Sequence, residues 1–213
     1  MMLHVATQDL CVFCFRVLLA KLQGMPPPSL PSAQGGKVAG LFVSWHNAGA
    51  PRGCMGTLHP VDLERGLADY ALTSALLDVR FQPISMKEVR GLTCHVSILH
   101  SFETCSDPLD WKVGTHGVTI HFSAAFFSFC PCGTCRYTAT LLPEVISAEG
   151  LSQQGALDKL VRKAGYRGYC RPKLMKSWET TRFKSSAWDL SFDSFSAMQV
   201  GSQTARFACM QAF

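Results

Sequence analysis

The chain has 213 residues, of which 47% are hydrophobic and 16% are charged. This composition is typical of a globular protein with a substantial core and argues against a largely disordered chain. The net charge of +5 gives a mild attraction to anions. Because the sequence has no dense basic stripe, it does not support nucleic-acid binding, although this function stays open.

Cysteine usage and hydropathy indicate the compartment. Several of the ten cysteines lie within apolar runs, as expected of small core residues in a reducing environment. The apolar run at 10–20 is interrupted by Arg16, lacks a basic leader and is too short to cross a bilayer. We therefore expect a soluble cytoplasmic or nuclear protein without a membrane partner.

The N-terminal third is predicted to contain one helix and one strand. Apolar residues at intervals of three and four predict an amphipathic helix over 7–22, capped by Thr7 and ended by Gly24. The proline- and glycine-rich residues 24–37 predict a surface loop. The run VAGLFVSW predicts a strand, and Cys54 is expected to lie at the start of a second strand or in a loop beside it.

The remainder mixes helices and strands without strict alternation. Two helices are predicted, Leu63 to Leu77 with Asp62 as its cap, and Leu151 to Lys163 closed by Gly165. The run LTCHVSILHSF alternates, which places Leu92, Cys94, Val96 and Ile98 on one face of a strand and Thr93, His95, Ser97 and Leu99 on the other. The runs VTIHF and RYTATLLP predict two more strands, joined by an apolar, cysteine-rich connector at 123–135. This pattern favours an α+β fold.

The segment PRGCMGT is the most informative motif. Gly53 and Gly56 flank Cys54, and residues without side chains permit tight bends and close approach of another group to the main chain. With the blocks CVFCFRVLLAKL, LFVSW, TSALLDVRF, DWKVGTHGV, TATLLPEV and LVRKAGY in the same order, the chain resembles the AMMECR family, whose usual motif is LRGCIGT.

The resemblance implies a two-lobed α+β domain over 1–195, with an antiparallel or mixed sheet packed against helices. Pro51 and Met55 replace the leucine and isoleucine usual in the family, the connector at 123–135 is atypical, and residues 196–213 form a divergent tail that we expect to be disordered. Because Pro51 lacks a backbone donor, we expect the strand that enters the motif to be shortened.

One hypothesis makes Cys54 a reactive thiol. Such a thiol needs a base, for which His59 and His116 are the candidates, and Glu144 would orient the histidine. The alternative, which we favour, is that Cys54 is a small buried residue, because no spacing in the sequence requires a cysteine–histidine pair.

A second hypothesis concerns anion binding at the same motif. Arg52 would hold a phosphate or carboxylate, with Gly53, Gly56 and Thr57 supplying the rest of a ligand-binding turn. The alternative is an ion pair between Arg52 and Asp62, Glu64 or another nearby acid. The motif lacks the lysine and hydroxyl residue that complete a phosphate loop, so an ATPase or GTPase is not predicted.

The cysteine pairs allow a metal interpretation that we do not adopt. A zinc site would combine thiolates from the pair Cys11 and Cys14 with others from Cys130, Cys132 and Cys135. Two residues three apart on a helix share one face, however, so burial explains the first pair without a metal. We predict no metal and no cofactor.

Two functions remain after these steps. The first is a regulatory or adaptor protein that binds a protein partner through the surface around RGCMGT. The second is an enzyme or enzyme accessory domain that binds a nucleotide-like or other anionic small molecule, with Cys54 as a reactive thiol. The sequence leaves open whether the protein is an enzyme.

Overall fold

The structure, a computed structural model, describes residues 5–30, 36–125, 134–167, 175 and 178–199. The chain divides into two compact units, the first formed by Met1–Leu99 with Ser186–Phe213 and the second by His100–Ser185. Helices and antiparallel strands occur together, which confirms the prediction of a two-lobed α+β fold. The predicted tail begins inside the described part, where residues 192–199 are helical, and its residues 200–213 lie outside it.

The elements follow the chain from one unit to the other and back. The elements up to β5 are α1 Gln8–Gln23, β1 Lys37–Val38, β2 Gly40–Asn47, β3 Ala50–Thr57, β4 Val61–Asp62, α2 Leu63–Leu72 and β5 Leu92–Cys105. The later elements are β6 Gly117–Ala125, β7 Thr134–Leu141, α3 Pro143–Ala148, α4 Gln153–Lys163 and β8 Glu179–Ser191. Strands β5 and β8 each have residues in both units.

The first unit is built on three antiparallel strands in the order β3–β2–β5. One face of these strands carries Leu41, Val43, Trp45, Cys94, Val96 and Ile98, and all six are buried. The apolar stripe of α1 packs in the same core, and the ring of Phe15 lies edge-on to Trp45 at 5.1 Å. Helix α1 ends at Gly24 in the left-handed conformation, φ 67°, as its sequence predicts.

The helix predicted over 63–77 is α-helical only to Leu72. Asp62 caps it by accepting a hydrogen bond from the Arg65 amide at 3.0 Å, which confirms the predicted start. Thr73–Leu77 then widens into a π-helical turn. A Cβ added to Gly53 of β3 would lie 1.8 Å from the Ser74 carbonyl oxygen, so this wide turn is packed directly on the strand backbone.

The second unit contains three antiparallel strands in the order β8–β6–β7, and α4 packs on the same core. Trp111 is buried in this core and packs there as a large aromatic side chain. Pro143, predicted to be the last residue of the strand RYTATLLP, instead begins the short helix α3, and Glu144 follows it in the first turn. Proline suits this position because its missing amide hydrogen has no intrahelical acceptor.

Candidate functional site

The RGCMGT segment lies in β3, at the edge of the strands in the first unit. Pro51 does not shorten this strand, contrary to the expectation from the sequence, because β3 includes Pro51 and is eight residues long. The pairing of β2 with β3 shifts register between Trp45 and His46 of β2. An edge strand presents backbone donors and acceptors that need partners. The two motifs PRGCMGT and TSALLDVRF meet at these backbone groups.

Asp78 and Arg80 bind the exposed edge of β3 as a side-chain clamp. The Cys54 amide donates to Asp78 Oδ2 at 3.0 Å, and Arg80 Nη2 donates to the Cys54 carbonyl at 3.0 Å. Arg80 Nε also donates to Asp78 Oδ1 at 2.8 Å. The pair thus occupies the place of a neighbouring strand and holds the backbone of Cys54 in position.

The clamp is electrostatically coupled. The hydrogen bond from Arg80 holds the pKa of Asp78 far below its ordinary value, against the opposing effect of burial, and the amides of Cys54 and Arg80 add to the lowering. Asp78 in turn raises the pKa of Arg80. Both groups are therefore charged at neutral pH, and their charges stabilise the folded backbone.

Arg52, the predicted anion-binding residue, is bound to groups of the protein itself. Its Nε and Nη2 donate to Glu88 Oε1 at 2.9 and 2.8 Å, and its Nη1 donates to the Gln82 carbonyl at 2.9 Å. Ser85 donates its amide and hydroxyl to the other oxygen of Glu88. The amide of Ser85, followed by Arg52, lowers the pKa of Glu88. The ion-pair alternative therefore describes Arg52, with Glu88 as the acid.

The two motif glycines are required by close packing. A Cβ on Gly53 would strike Ser74, and a Cβ on Gly56 would lie 2.3 Å from the Leu41 carbonyl oxygen and 2.4 Å from the Phe42 ring. Thr57 Oγ1 accepts a hydrogen bond from the His59 amide at 3.0 Å. These contacts account for the two glycines and give the Thr57 hydroxyl a partner within the protein, and a ligand-binding role for the three residues stays a prediction.

The side chain of Cys54 belongs to a polar row on the non-core face of the first unit. Ser44 pairs with Cys54 across β2 and β3 and with His95 across β2 and β5, so the three side chains share one face. His95 Nδ1 lies 2.7 Å from Asp189 Oδ1, and its Nε2 lies 2.9 Å from Ser97 Oγ.

A second histidine adjoins this row. His46 lies edge-on to His95 with ring centroids 6.4 Å apart. Burial lowers the pKa of His46, His95 lowers it further, and Asp189 opposes the shift. Neither histidine was chosen from the sequence as a base for Cys54. The alternation of LTCHVSILHSF, which placed His95 on the face opposite Cys94, is the signal that could have found it.

His116 and Glu144 lie in the second unit, whereas Cys54 lies in the first. The Lys112 amide donates to His116 Nδ1 at 3.0 Å, and Ser185 Oγ donates to Glu144 Oε2 at 2.8 Å. Their grouping with Cys54 in one catalytic site stays a prediction.

Among the described residues, no group of three or more His, Cys, Asp or Glu side chains is placed to hold a metal ion. Cys11 and Cys14 are fully buried in the core beside Cys94, as the burial interpretation predicts. Cys130 and Cys132 lie outside the described residues, and Cys135 is a free, half-buried thiol. In the described part of the chain, no helix has both the length and the apolarity needed to cross a bilayer.

A comparison with protein-family profiles assigns the chain to a family. The sequence profile of the AMMECR1 family matches residues 11–188, and the chain belongs to this family. The match spans both motifs of the clamp and reaches into β8.

Similar proteins extend from plants to archaea. An uncharacterized protein of Arabidopsis thaliana is 39% identical over 197 residues, covering 89% of this chain and 87% of its own length. An uncharacterized protein of Schizosaccharomyces pombe is 34% identical, covering 84% of this chain and 89% of its own. The crystal structure of an uncharacterized protein from Pyrococcus horikoshii matches with a TM-score of 0.70 and 22% identity, over 88% of this chain and 94% of that one, which shows a shared fold.

Proposed function

We propose that this protein is a regulatory or adaptor protein whose docking surface is the segment 77–90, beside the RGCMGT strand. The observation that carries the proposal is a set of large apolar side chains exposed on this one short segment. Leu77 is 68% exposed, Val79 is 99% exposed and Met86 is 47% exposed. Apolar groups clustered on a surface are typical of protein interaction sites.

The clamp gives this segment a defined conformation before any partner arrives. Asp78 is buried and bound to β3, so its neighbours Leu77 and Val79 point away from the strand. The Arg80 guanidinium also lies over the Phe81 ring, 5.5 Å from its centroid. A surface that is already ordered loses less conformational entropy on binding, which favours affinity.

Charge indicates the chemistry of the partner. Lys87 and Arg90 are exposed on the segment, whereas its acids Asp78 and Glu88 are paired with Arg80 and Arg52. The surface is therefore apolar and basic. It fits a protein segment that combines apolar side chains with acidic ones, because opposite charges align such a partner and exclude basic competitors.

The test compares Val79→Asp with Val113→Asp, an equivalent change at an exposed valine of the second unit. Partners are captured from cells by in situ crosslinking and quantified by mass spectrometry. We expect Val79→Asp to lose an acidic partner that the wild type and Val113→Asp both retain, with unchanged thermal stability in all three. An identical partner set for the two variants would refute the docking surface.

A second candidate function, thiol chemistry, is favoured by the polar row. Cys54 is half-buried rather than enclosed, its backbone is held by the clamp, and Ser44 and two histidines share its face. A neutral imidazole near a thiol can act as its base. We expect iodoacetamide to label Cys54 in the folded protein and His46→Ala to slow the labelling, whereas protection of Cys54 until unfolding would exclude this chemistry.

We propose that the protein resides in the cytoplasm or nucleus. All six cysteines of the described residues are free thiols, and several are buried close together. Free cysteines persist in reducing compartments. Imaging of the tagged full-length chain in cells tests this placement, and secretion of the protein would contradict it.

A further inference from the structure

His116 of the second unit directly precedes β6, and Lys184 lies on the neighbouring strand β8. Gly117, the first residue of β6, pairs with Phe183 of β8, so His116 and Lys184 are the residues that adjoin this pair in the sequence. Paired residues of antiparallel strands have Cβ atoms about 5 Å apart, so the residues that adjoin such a pair are near neighbours. Lys184 is exposed and His116 is half-buried.

The turn before β6 determines which nitrogen of His116 carries the proton. The Lys112 amide donates to His116 Nδ1 at 3.0 Å, so Nδ1 is an acceptor. In the neutral ring the proton therefore lies on Nε2, which is a donor. The ring is thus oriented by the backbone and presents one N–H group.

The charges around this ring are mostly positive. Burial lowers the pKa of His116 first, and Arg182, Lys184 and Lys112 lower it further, whereas Glu103 raises it. Arg182 holds the nearby acids, donating to Glu103 Oε2 at 2.9 and 2.6 Å and to Asp110 Oδ1 at 2.8 Å. Among the described residues, Lys112 and Lys184 have no acid as an ion-pair partner.

We propose that His116 and Lys184 form a binding site for a small oxyanion, such as the phosphate or carboxylate group of a metabolite. The Nε2–H group and the lysine ammonium are both donors to an anionic oxygen, and charge-assisted hydrogen bonds of this kind are the stronger ones. Lys112 adds a second positive charge beside the ring. The site goes beyond the docking function and is independent of it, since it lies in the other unit.

This site replaces the anion site expected at the motif. Arg52 was the predicted anion-binding group, but Glu88 and the Gln82 carbonyl accept hydrogen bonds from its guanidinium. An anion at Arg52 would have to displace a carboxylate already in place. At His116 an anion adds to a positive cluster and offsets the repulsion that, together with the larger effect of burial, lowers the pKa of the ring.

The test follows the His116 ring by NMR while inorganic phosphate is added to the full-length protein at constant ionic strength. We expect saturable shifts of the His116 ring signals and a rise in the pKa of His116, because a bound anion favours the imidazolium. Parallel titrations with acetate distinguish a carboxylate ligand from a phosphate ligand, and saturation by either supports an oxyanion site. Equal shifts with chloride, or shifts that never saturate, would overturn the proposal.

Matched variants separate a specific site from general attraction. Lys184→Ala should weaken phosphate binding by roughly tenfold or more, and Lys184→Arg should retain most of it, since one charge-assisted hydrogen bond is lost only in the first. Lys87→Ala, which removes an exposed lysine of the first unit, should leave binding unchanged. Amide NMR spectra confirm that each variant is folded, and equal binding by Lys184→Ala and the wild type would refute the site.

Discussion

Arg80 in the first unit and Arg182 in the second make similar contacts with different consequences. Each donates to a carboxylate and to a backbone carbonyl, of Cys54 for Arg80 and of Asp110 for Arg182. The carboxylate of Asp78 is 3% exposed and binds the backbone of an edge strand. The carboxylates of Glu103 and Asp110 are half exposed.

The difference shows how the same residue types stabilise the fold in one unit and leave a positive electrostatic potential that favours anion binding in the other. At the motif, the arginines are paired with acids, and neighbouring atoms occupy the space where a side chain on either glycine would lie. These contacts stabilise one conformation. Beside His116, a single arginine, Arg182, pairs with both acids, Glu103 and Asp110. Among the described residues, the two lysines near the ring have no acid as an ion-pair partner. Substitutions should therefore act on stability in the first region and on the ionisation of His116 in the second.

The largest effect is expected for Gly53→Ala. The new methyl group would lie 1.8 Å from the Ser74 carbonyl oxygen, so β3 and the π-helical turn would have to separate. We expect a loss of about 3 kcal/mol in the free energy of unfolding, at the upper end of overpacking effects. Urea denaturation measures it, with Gly155→Ala in α4 as a control, whose Cβ would meet no atom closer than 3.4 Å. Equal midpoints for the two variants would contradict the close packing.

Breaking the clamp by Asp78→Asn should come next. The change leaves the Arg80 charge without its acid, and because the Arg80 side chain is 59% exposed, solvent limits the cost to about 1–3 kcal/mol at neutral pH. The pKa of Asp78 is lower in the folded state than its ordinary value of 3.8, so its contribution is complete above that value and declines as pH falls towards the folded pKa.

Urea unfolding of the wild type and Asp78→Asn across this acidic range checks the sign. The difference between the two proteins should shrink as the pH is lowered. A difference that stays constant or grows on acidification would show that the carboxylate charge is not what the clamp uses.

A smaller effect is expected for Arg52→Ala. The ion pair with Glu88 is partly exposed, so its loss should lower the free energy of unfolding by about 1 kcal/mol. The control is Arg65→Ala, which removes the more exposed ion pair with Asp69 and should change the free energy of unfolding by no more than about 0.5 kcal/mol. Phosphate titration of His116 should be the same in both variants and the wild type. Weaker phosphate binding in Arg52→Ala would contradict the assignment of anion binding to the second unit alone.

The smallest effect concerns Glu103→Gln in the second unit. Glu103 raises the pKa of His116, so its neutralisation should lower that pKa further. NMR titration of the His116 ring measures the change, with Glu149→Gln, an acid paired with Lys159, as the control. An upward shift of the pKa in Glu103→Gln would show that the acids, rather than the cations, dominate the field there.

The family motifs and several local features could be predicted because they depend on neighbours in the sequence. The cap at Asp62, the left-handed end at Gly24 and the alternation that buries Cys94 and Val96 all follow from short-range geometry. The α+β fold follows from the mixture of those elements. The choice of a base for Cys54 had no such local signal, because a base can come from any strand.

The sequence by itself determined the main helices α1 and α4, the central strands β2 and β5, the family to which the chain belongs, and the distinctive motif. Only the tertiary structure decided the partners: Glu88 for Arg52, Asp78 and Arg80 for the backbone of Cys54, and strand β8 with Lys184 beside the segment of His116. The physical reason is the separation along the sequence over which each interaction acts. Propensity and periodicity act over a few residues, whereas ion pairs and strand registers join residues far apart in sequence, and only the folded backbone sets those distances.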